Sequence, residues 1–572
     1  MNFKLKQALG FSLLAAGSLA NAECTSYTGT SCKDATLGVD LDGTTCAPQT
    51  INEQAYGQTF FSLRPAHSDM ARDMMGTDSR IHQFGKQEFN GDVSLALQWE
   101  QSTGCNKLGD WFFFNGTNTM SYGPNWTPSN YGAVDVNSLN FGVTASGTIT
   151  ACPRVQELVA DFQLYLGWDE FVSGLWTRIG VPVNYVRTDM RLEDSVSTAD
   201  ASPVSGGGFE RGDFSNDASG TLTSPYANLA AAWVGDKSIG DWAGRSTANV
   251  NGRRTHTSVS GLVLELGYDV LRREHGHLGF SLRAVAPTGN EPNAAYLFDA
   301  IVGNTGCWEF GGGVTSAYEL YRSNDDSTLK AYLNANFTHL FGSNQKRTLG
   351  LTGLRTGGKS VTTNVGDGDT NPSAGAPWLI LAQYTSGDVY NGVLKSASDL
   401  TSLVLKIHNA VMADLGLTLK YCWGNYGVEL GYNFWARTKD VASAREASPF
   451  ASTNYAVKAA AGNAAAGSAI LVSGTSTAVA TKAYSDITTA GAQTTAGTAQ
   501  YITDADVAVC PALHPTALSN KVFGSFEYTW SDNEWTPYLL VGGTYEIGTT
   551  ISDVKNSSVN QWSVLAKGGI SF

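Results

Sequence analysis

The sequence predicts an all-β protein: a closed antiparallel transmembrane β-barrel of about twelve strands (12–16), with short periplasmic turns and long extracellular loops. Three observations carry this expectation. The chain ends on a strictly alternating segment at Phe572, similar segments recur in hairpin pairs, and after residue 22 no apolar run approaches the length of a spanning helix.

The last segment is the clearest. Trp562, Val564, Ala566, Gly568, Ile570 and Phe572 fall on one face, and Gln561, Ser563, Leu565, Lys567, Gly569 and Ser571 on the other. A strand between lipid and lumen needs this two-residue period. Phe572 behind Ile570 and the other alternating apolar residues also resembles the C-terminal signal by which barrel proteins reach the outer-membrane assembly machinery.

The same unit recurs upstream. Gly524–Trp530 and Pro537–Tyr545 flank a Ser531–Glu534 turn, and Leu158–Trp168 leads through a short connection into Leu175–Tyr185. Leu262–Val270 pairs with Leu278–Ala286 across Arg272–His277, and two further pairs run over about 308–336 and 413–435. A single strand carries Val93, Leu95, Leu97 and Trp99. Between these hairpins lie connections of roughly 102–155, 189–257, 288–306, 341–410, 437–520 and 549–559. Long connections that all fall at one end are the pattern of an outer-membrane barrel, and counting back from Phe572 gives twelve strands, an even number.

The amino-terminal stretch reads as an export signal. Lys4 and Lys6 precede an apolar run from Ala8 to Leu19, and Ala20-Asn21-Ala22 places the cleavage between Ala22 and Glu23. The expected division is therefore 1–22 signal peptide, 23–90 a periplasmic extension or plug, and 91–572 the barrel. Within 23–90, Ser68 is placed to cap a short helix over 69–75. Within the barrel, about 441–517 is rich in Ala, Thr, Ser and Gly and reads as a flexible extracellular loop.

Composition agrees. Only 15% of residues are charged, 63 are Gly and 11% are aromatic, against roughly 25% charged in ordinary soluble domains. The formal charge is −14, and loss of Lys4 and Lys6 takes it to about −16, which argues against a nucleic-acid partner. Eight cysteines lack paired C-x-x-C spacing, so no metal site and no cofactor is expected.

Two short motifs carry no function. Gly353–Ser360 matches the P-loop pattern, but Val361–Asp369 behind it has little helix character to aim backbone N–H groups at phosphate. Asp367–Asn371 holds oxygen ligands of the kind Ca²⁺ takes, yet consists of turn residues. Catalysis is not expected either. His275 and His277 fall in a turn, and His256 and His339 near the outer rim lie in no serine or acid motif.

The alternation places Asp161, Arg178, Glu265, Asp269, Arg283, Glu309, Glu319, Lys330, Lys420, Glu429, Glu527 and Lys567 toward the lumen. These charges either pair across a narrow lumen or line a wet channel.

Leu282–Asn290 (LRAVAPTGN) and Gly431–Arg437 (GYNFWAR) resemble the strand ends of porin-like and hydrophobic-compound-transporting Gram-negative outer-membrane proteins, particularly barrels of intracellular bacteria. The resemblance covers strand tips from about 156 to 572, carries over no catalytic residue, and implies an outer-membrane location and pore formation. The expectation is a porin-like channel for passive diffusion of small solutes, among outer-membrane lipid and lipopolysaccharide. The alternatives are a surface barrel with a filled lumen, acting as adhesin or structural protein, and a transporter of hydrophobic compounds.

Overall fold

The computed structural model describes residues 59–83, 89–104, 108, 118–123, 133–135, 147–196, 226, 228–250, 252–323, 327–351, 354–355, 380–385, 390–457, 471–472, 501–509, 512–530, 535–549 and 558–572. Twelve of its strands form the barrel: β1 (Asn90–Ser102), β2 (Arg154–Gly167), β3 (Leu175–Asp189), β4 (Leu262–Arg273), β5 (Gly276–Ala286), β6 (Glu309–Arg322), β7 (Ser327–Thr348), β8 (Ser402–Trp423), β9 (Tyr426–Arg437), β10 (Ala517–Thr529), β11 (Thr536–Gly548) and β12 (Gln561–Ser571). Each pairs antiparallel with its neighbours in sequence, and β12 pairs back onto β1, with Leu95 opposite Gly568. Closure leaves the barrel wall without a free edge, which is what allows strands to cross a bilayer.

The two barrel faces differ as the two-residue period requires. Outward residues such as Leu97, Leu264, Leu282, Leu430, Val541 and Val564 are exposed and apolar, whereas Gln98, Asp161, Arg283, Glu429 and Lys567 are buried inside. At the end carrying the tight turns, exposed aromatics gather: Phe171, Tyr318, Tyr321, Tyr426, Trp530 and Trp535. Tyr421, Trp423 and Tyr426 stack in series, with centroids 5.5 and 5.9 Å apart. An apolar band edged by aromatics is the surface of a transmembrane barrel. No described helix is long and apolar enough to cross a membrane.

The opposite end carries the long connections, and several are more ordered than their composition suggests. β7 and β8, each 22 residues long, reach about 70 Å against the ~30 Å of hydrocarbon. The connection expected over 341–410 is therefore strand at both its ends. Asp440–Arg445 adds to β8, so the loop expected over 441–517 also begins and ends in packed structure. Loop residues Trp233, Trp242, Leu297, Phe298, Ile380, Tyr384 and Leu394 share one buried apolar cluster with Phe61. Parts of sequence that lack long-period alternation are fixed here by burial against one another, a tertiary effect that composition does not reveal. The expected signal peptide, the Asp367–Asn371 segment and most of Gly353–Ser360 lie outside the described residues. Leu354–Arg355 pairs as a short strand with Leu471–Val472.

Candidate functional site

The most elaborate arrangement of side chains lies inside the barrel, where residues 59–83 meet the inward faces of the strands. The segment carries one short helix, α1 (Met70–Met74), all of whose residues are buried. Ser68 does not cap it, contrary to expectation. The N-cap is Asp69, which makes no side-chain capping bond. Asp414 of β8 instead accepts the Met70 N–H at 3.0 Å and the Ser68 hydroxyl at 3.3 Å. A barrel carboxylate thus satisfies a buried N–H at the helix start that has no partner within the helix.

Room for α1 comes from glycine. A Cβ on Gly416 of β8 would collide with Met74 Sδ and sit 3.5 Å from Met70 Cβ. After α1, Gly76 takes a left-handed φ of 76° and donates its N–H to both carboxylate oxygens of Glu429 at 3.1 Å. A side chain there would be strained by the backbone and would also strike Leu540.

Charges on the segment alternate with charges on the wall. Asp69 lies 3.0 Å from Lys521 and 3.6 Å from both Arg64 and Arg72. Lys521 also reaches Glu546 at 3.2 Å and Glu100 at 3.7 Å, and Arg64 reaches Glu546 at 3.1 Å. Arg72 continues the pattern to Asp161 at 3.0 Å and to the Gln98 side-chain oxygen Oε1 at 3.0 Å. All these groups are buried, so each ion's desolvation is offset only by its partners.

The predicted lumen-facing residues occupy this contact zone unevenly. Asp161 holds Arg72; Arg178 reaches Asp73 at 3.3 Å; Asp269 meets His82 at 3.0 Å. Arg283 pairs with Glu265 and donates to the His67 carbonyl at 2.6 Å. Lys420 bridges Glu429 and Glu527 and donates to the Ser79 hydroxyl at 2.8 Å, while Glu527 binds Arg80 at 2.6 Å. Lys567 donates to the Arg72 and Asp73 carbonyls and to the Thr77 hydroxyl. Glu309 pairs with His67 at 2.6 Å. Glu319 and Lys330, 4.0 Å apart near the turns, meet neither the segment nor the central network, and Glu319 bonds Arg322 instead.

Sequence reasoning missed Lys521, Glu546, Glu100 and Asp414. Lys521 was lost because its strand starts at Ala517, several residues before the recognisable alternation at Gly524. Its signal was a lysine at an even spacing from Ser519 and Ser525, all three inward and buried.

One constellation has the composition of a hydrolase triad. His67 Nδ1 lies 3.1 Å from Ser260 Oγ, and His67 Nε2 lies 2.6 Å from Glu309 Oε1. Ser260 is 1% exposed, however, and its own carbonyl is 3.2 Å from the same nitrogen. Asn304 and Thr338 also donate to Glu309. The arrangement fastens the segment to the wall at the level of β6.

At the loop end, Arg347 donates to Asp440 at 2.6 Å, and Asp440 also accepts the His514 N–H at 3.0 Å. His514 Nε2 lies 3.0 Å from the Phe60 carbonyl, and the two rings are 4.4 Å apart. Burial alone would raise the Asp440 carboxyl, but Arg347, His514 and Arg437 together hold it well below the usual carboxylate range. Among the described residues no group of His, Cys, Asp and Glu is placed to hold a metal ion.

No family model and no curated protein matches the sequence. Solved structures to which the fold is similar include an outer-membrane channel from Pseudomonas putida F1, at 9% identity over 84% of this chain and 96% of that one, with a TM-score of 0.33. The translocator domain of the autotransporter NalP from Neisseria meningitidis matches at 6% identity over 89% and 96%, TM-score 0.27. A Pseudomonas aeruginosa FadL homologue matches at 9% identity over 91% and 97%, TM-score 0.26. Likenesses of this size leave the assignment of a closed twelve-stranded barrel to the strand pairing itself.

Proposed function

We propose that the chain is a Gram-negative outer-membrane transport barrel held shut at rest by residues 59–83, and not a freely open porin. The observation that supports this is the buried network joining Asp69 and Arg72 of the segment to Lys521 and Asp161 of the wall. A twelve-stranded lumen is narrow, and here it is crossed by a segment whose side chains are fastened on several strands. Export by the 1–22 signal, assembly through the Phe572 signal, and a setting of lipid and lipopolysaccharide complete the reading. Ion pairs and hydrogen bonds, unlike an apolar core, exchange readily for water, so such a plug is suited to displacement.

The substrate reading is favoured by the mouth. At the loop end the segment's Phe61 enters a buried apolar cluster with Phe298, Trp233 and Trp242, and a mouth whose side chains are apolar favours passage of a small hydrophobic compound over an ion once they part.

Single-channel recording in planar bilayers tests the plug. The wild-type protein gives no steady large step, and removal of residues 59–83 gives one. Should that deletion fail to fold, Gly416→Val serves instead, because its side chain meets Met74 and forces α1 off the wall. Oxidised Met70→Cys/Met74→Ala/Gly416→Cys protein, in which Met74→Ala clears the space the new side chain needs and the Cβ separation of 3.5 Å suits a disulfide, stays silent. A steady large step from this crosslinked form overturns the proposal.

A further inference from the structure

The segment that fills the lumen has a direction. At its first described residues it is bound to the loop end. Thr59 Oγ1 accepts the Thr348 N–H at 3.3 Å, and the Thr59 carbonyl accepts the Asp299 N–H at 3.4 Å. Phe60 packs on His514 and lies under the Arg347 guanidinium at 5.1 Å, while Phe61 packs on Phe298 at 4.6 Å. Thr348 closes the long β7, Asp299 and Phe298 belong to the β5–β6 connection, and His514 belongs to the β9–β10 connection. All lie beyond the same end of the barrel.

The later residues are bound to the other end. Arg80 sits over the Tyr538 ring at 4.0 Å and donates to Thr529 at 2.7 Å, beside the β10–β11 turn. His82 stacks on His277 at 4.4 Å, beside the β4–β5 turn, and the Gln83 carbonyl accepts from Arg272. Phe89 then meets Phe572, 6.0 Å away, and β1 begins at Asn90 on the turn side. Between these limits the chain passes through the lumen once, from loops to turns.

From this polarity we infer that the stretch preceding Thr59 leaves the barrel at the loop end, so that the protein presents an amino-terminal peptide on the outer surface of the cell. Short turns face the periplasm and long loops face outward in barrels of this kind. A periplasmic position for the preceding residues would need a second passage down the lumen beside the first. Among the described residues, α1, the Arg64–Asp69–Lys521–Glu546 cluster and the Arg80–Glu527–Lys420 cluster already occupy successive levels of the lumen, buried against the wall, so a second passage would have to displace them. Of the two expectations for residues 23–90, a periplasmic extension or a plug, the inference follows the plug and adds an outward route for the residues before it. The inference rests on residues 59–83 occupying the lumen, as proposed above.

Epitope insertion tests it. A tag between Gly57 and Gln58 is compared on intact cells with one between Gly368 and Asp369, in the β7–β8 connection, and one between Asp532 and Asn533, in the β10–β11 turn. Antibody labelling of the first in intact cells should equal that of the loop tag and exceed the turn tag at least tenfold. Labelling that appears only after the outer membrane is permeabilised overturns the inference. The Met70→Cys/Met74→Ala/Gly416→Cys crosslink, assayed on the same cells, separates the two ideas. A crosslink with a protected tag sinks surface display alone. No crosslink sinks the plug and, with it, this route, whatever the tag shows. The untagged chain offers a second readout, since Lys33 is the sole Lys or Arg between Glu23 and Leu63. External trypsin should create a new terminus at Asp34 on intact cells, and cleavage there only after permeabilisation counts against the inference.

Discussion

Lys521 of β10 and Asp69 of the lumenal segment face each other at 3.0 Å, both buried, with Glu546 at 3.2 Å and Glu100 at 3.7 Å from the same ammonium. Lys521 therefore offsets three carboxylates at once. Replacing it with Met leaves Glu100 without its ion-pair partner and Asp69 and Glu546 with only Arg64 and Arg72, and loss of one partner from such a site costs about 3–5 kcal/mol. Urea unfolding of the detergent-folded protein should show a fall of this order for Lys521→Met. Lys521→Arg should recover most of it, and pairing Lys521→Met with Asp69→Asn should recover part. A Lys521→Met protein as stable as the wild type would mean that the two groups do not meet.

The loop end should loosen in acid, in two stages. His514 is buried, which lowers its pKa, and Asp440 only partly opposes this. A depressed histidine binds its proton in the unfolded state first, so stability falls as pH drops below about 6.5. Asp440 is held below the carboxylate range. Its contribution is intact above the unfolded value of about 3.9 and is lost as pH falls through the lower folded value. Limited proteolysis of the loops against pH should show an early rise in cleavage that His514→Asn abolishes, followed by a later one that persists. Cleavage independent of pH between 7 and 5 in the wild type would refute the first stage.

Ser260, His67 and Glu309 should be chemically inert despite their triad-like spacing of 3.1 and 2.6 Å. A nucleophile must be reached by its substrate, and Ser260 is covered. A fluorophosphonate probe should leave the folded protein unlabelled, and His67→Ala should lower stability by leaving Glu309 buried without its ion-pair partner. Labelling at Ser260 that depends on His67 would turn this fastening into an active site.

The barrel was legible because its signal is periodic. Leu282, Ala284 and Ala286 against Ser281 and Arg283 repeat a distance that lipid and lumen impose, and this holds whatever the partner strand. The plug was less legible. Arg64, Asp69 and Arg72 lie in a stretch with no period, and their meaning comes from Lys521, Glu546 and Asp161, hundreds of positions away or on a different part of the wall. The inward charges could be named from alternation alone, but whether they faced one another, water or a third element was not contained in any strand. The loop cap was hidden for the same reason. Phe61, Phe298 and Trp242 meet only after the lumenal segment and two connections have come together at the barrel mouth.

The outward face makes the membrane assignment testable at one atom's depth. Val541 lies near the middle of β11, opposite Ala566 on one side and Phe526 on the other, and is 56% exposed. In water an Arg at an exposed valine of a strand would cost little, because the guanidinium stays hydrated. In hydrocarbon the same substitution costs about 2–4 kcal/mol at the midplane. Val541→Arg should therefore lower the yield and stability of folding into lipid vesicles by that order, and Val541→Ala by much less. Ile547 is also outward and exposed but sits next to the end of the same strand, so Ile547→Arg should be tolerated better than Val541→Arg. Equal tolerance at both depths would place this face in water and remove the barrel from the membrane.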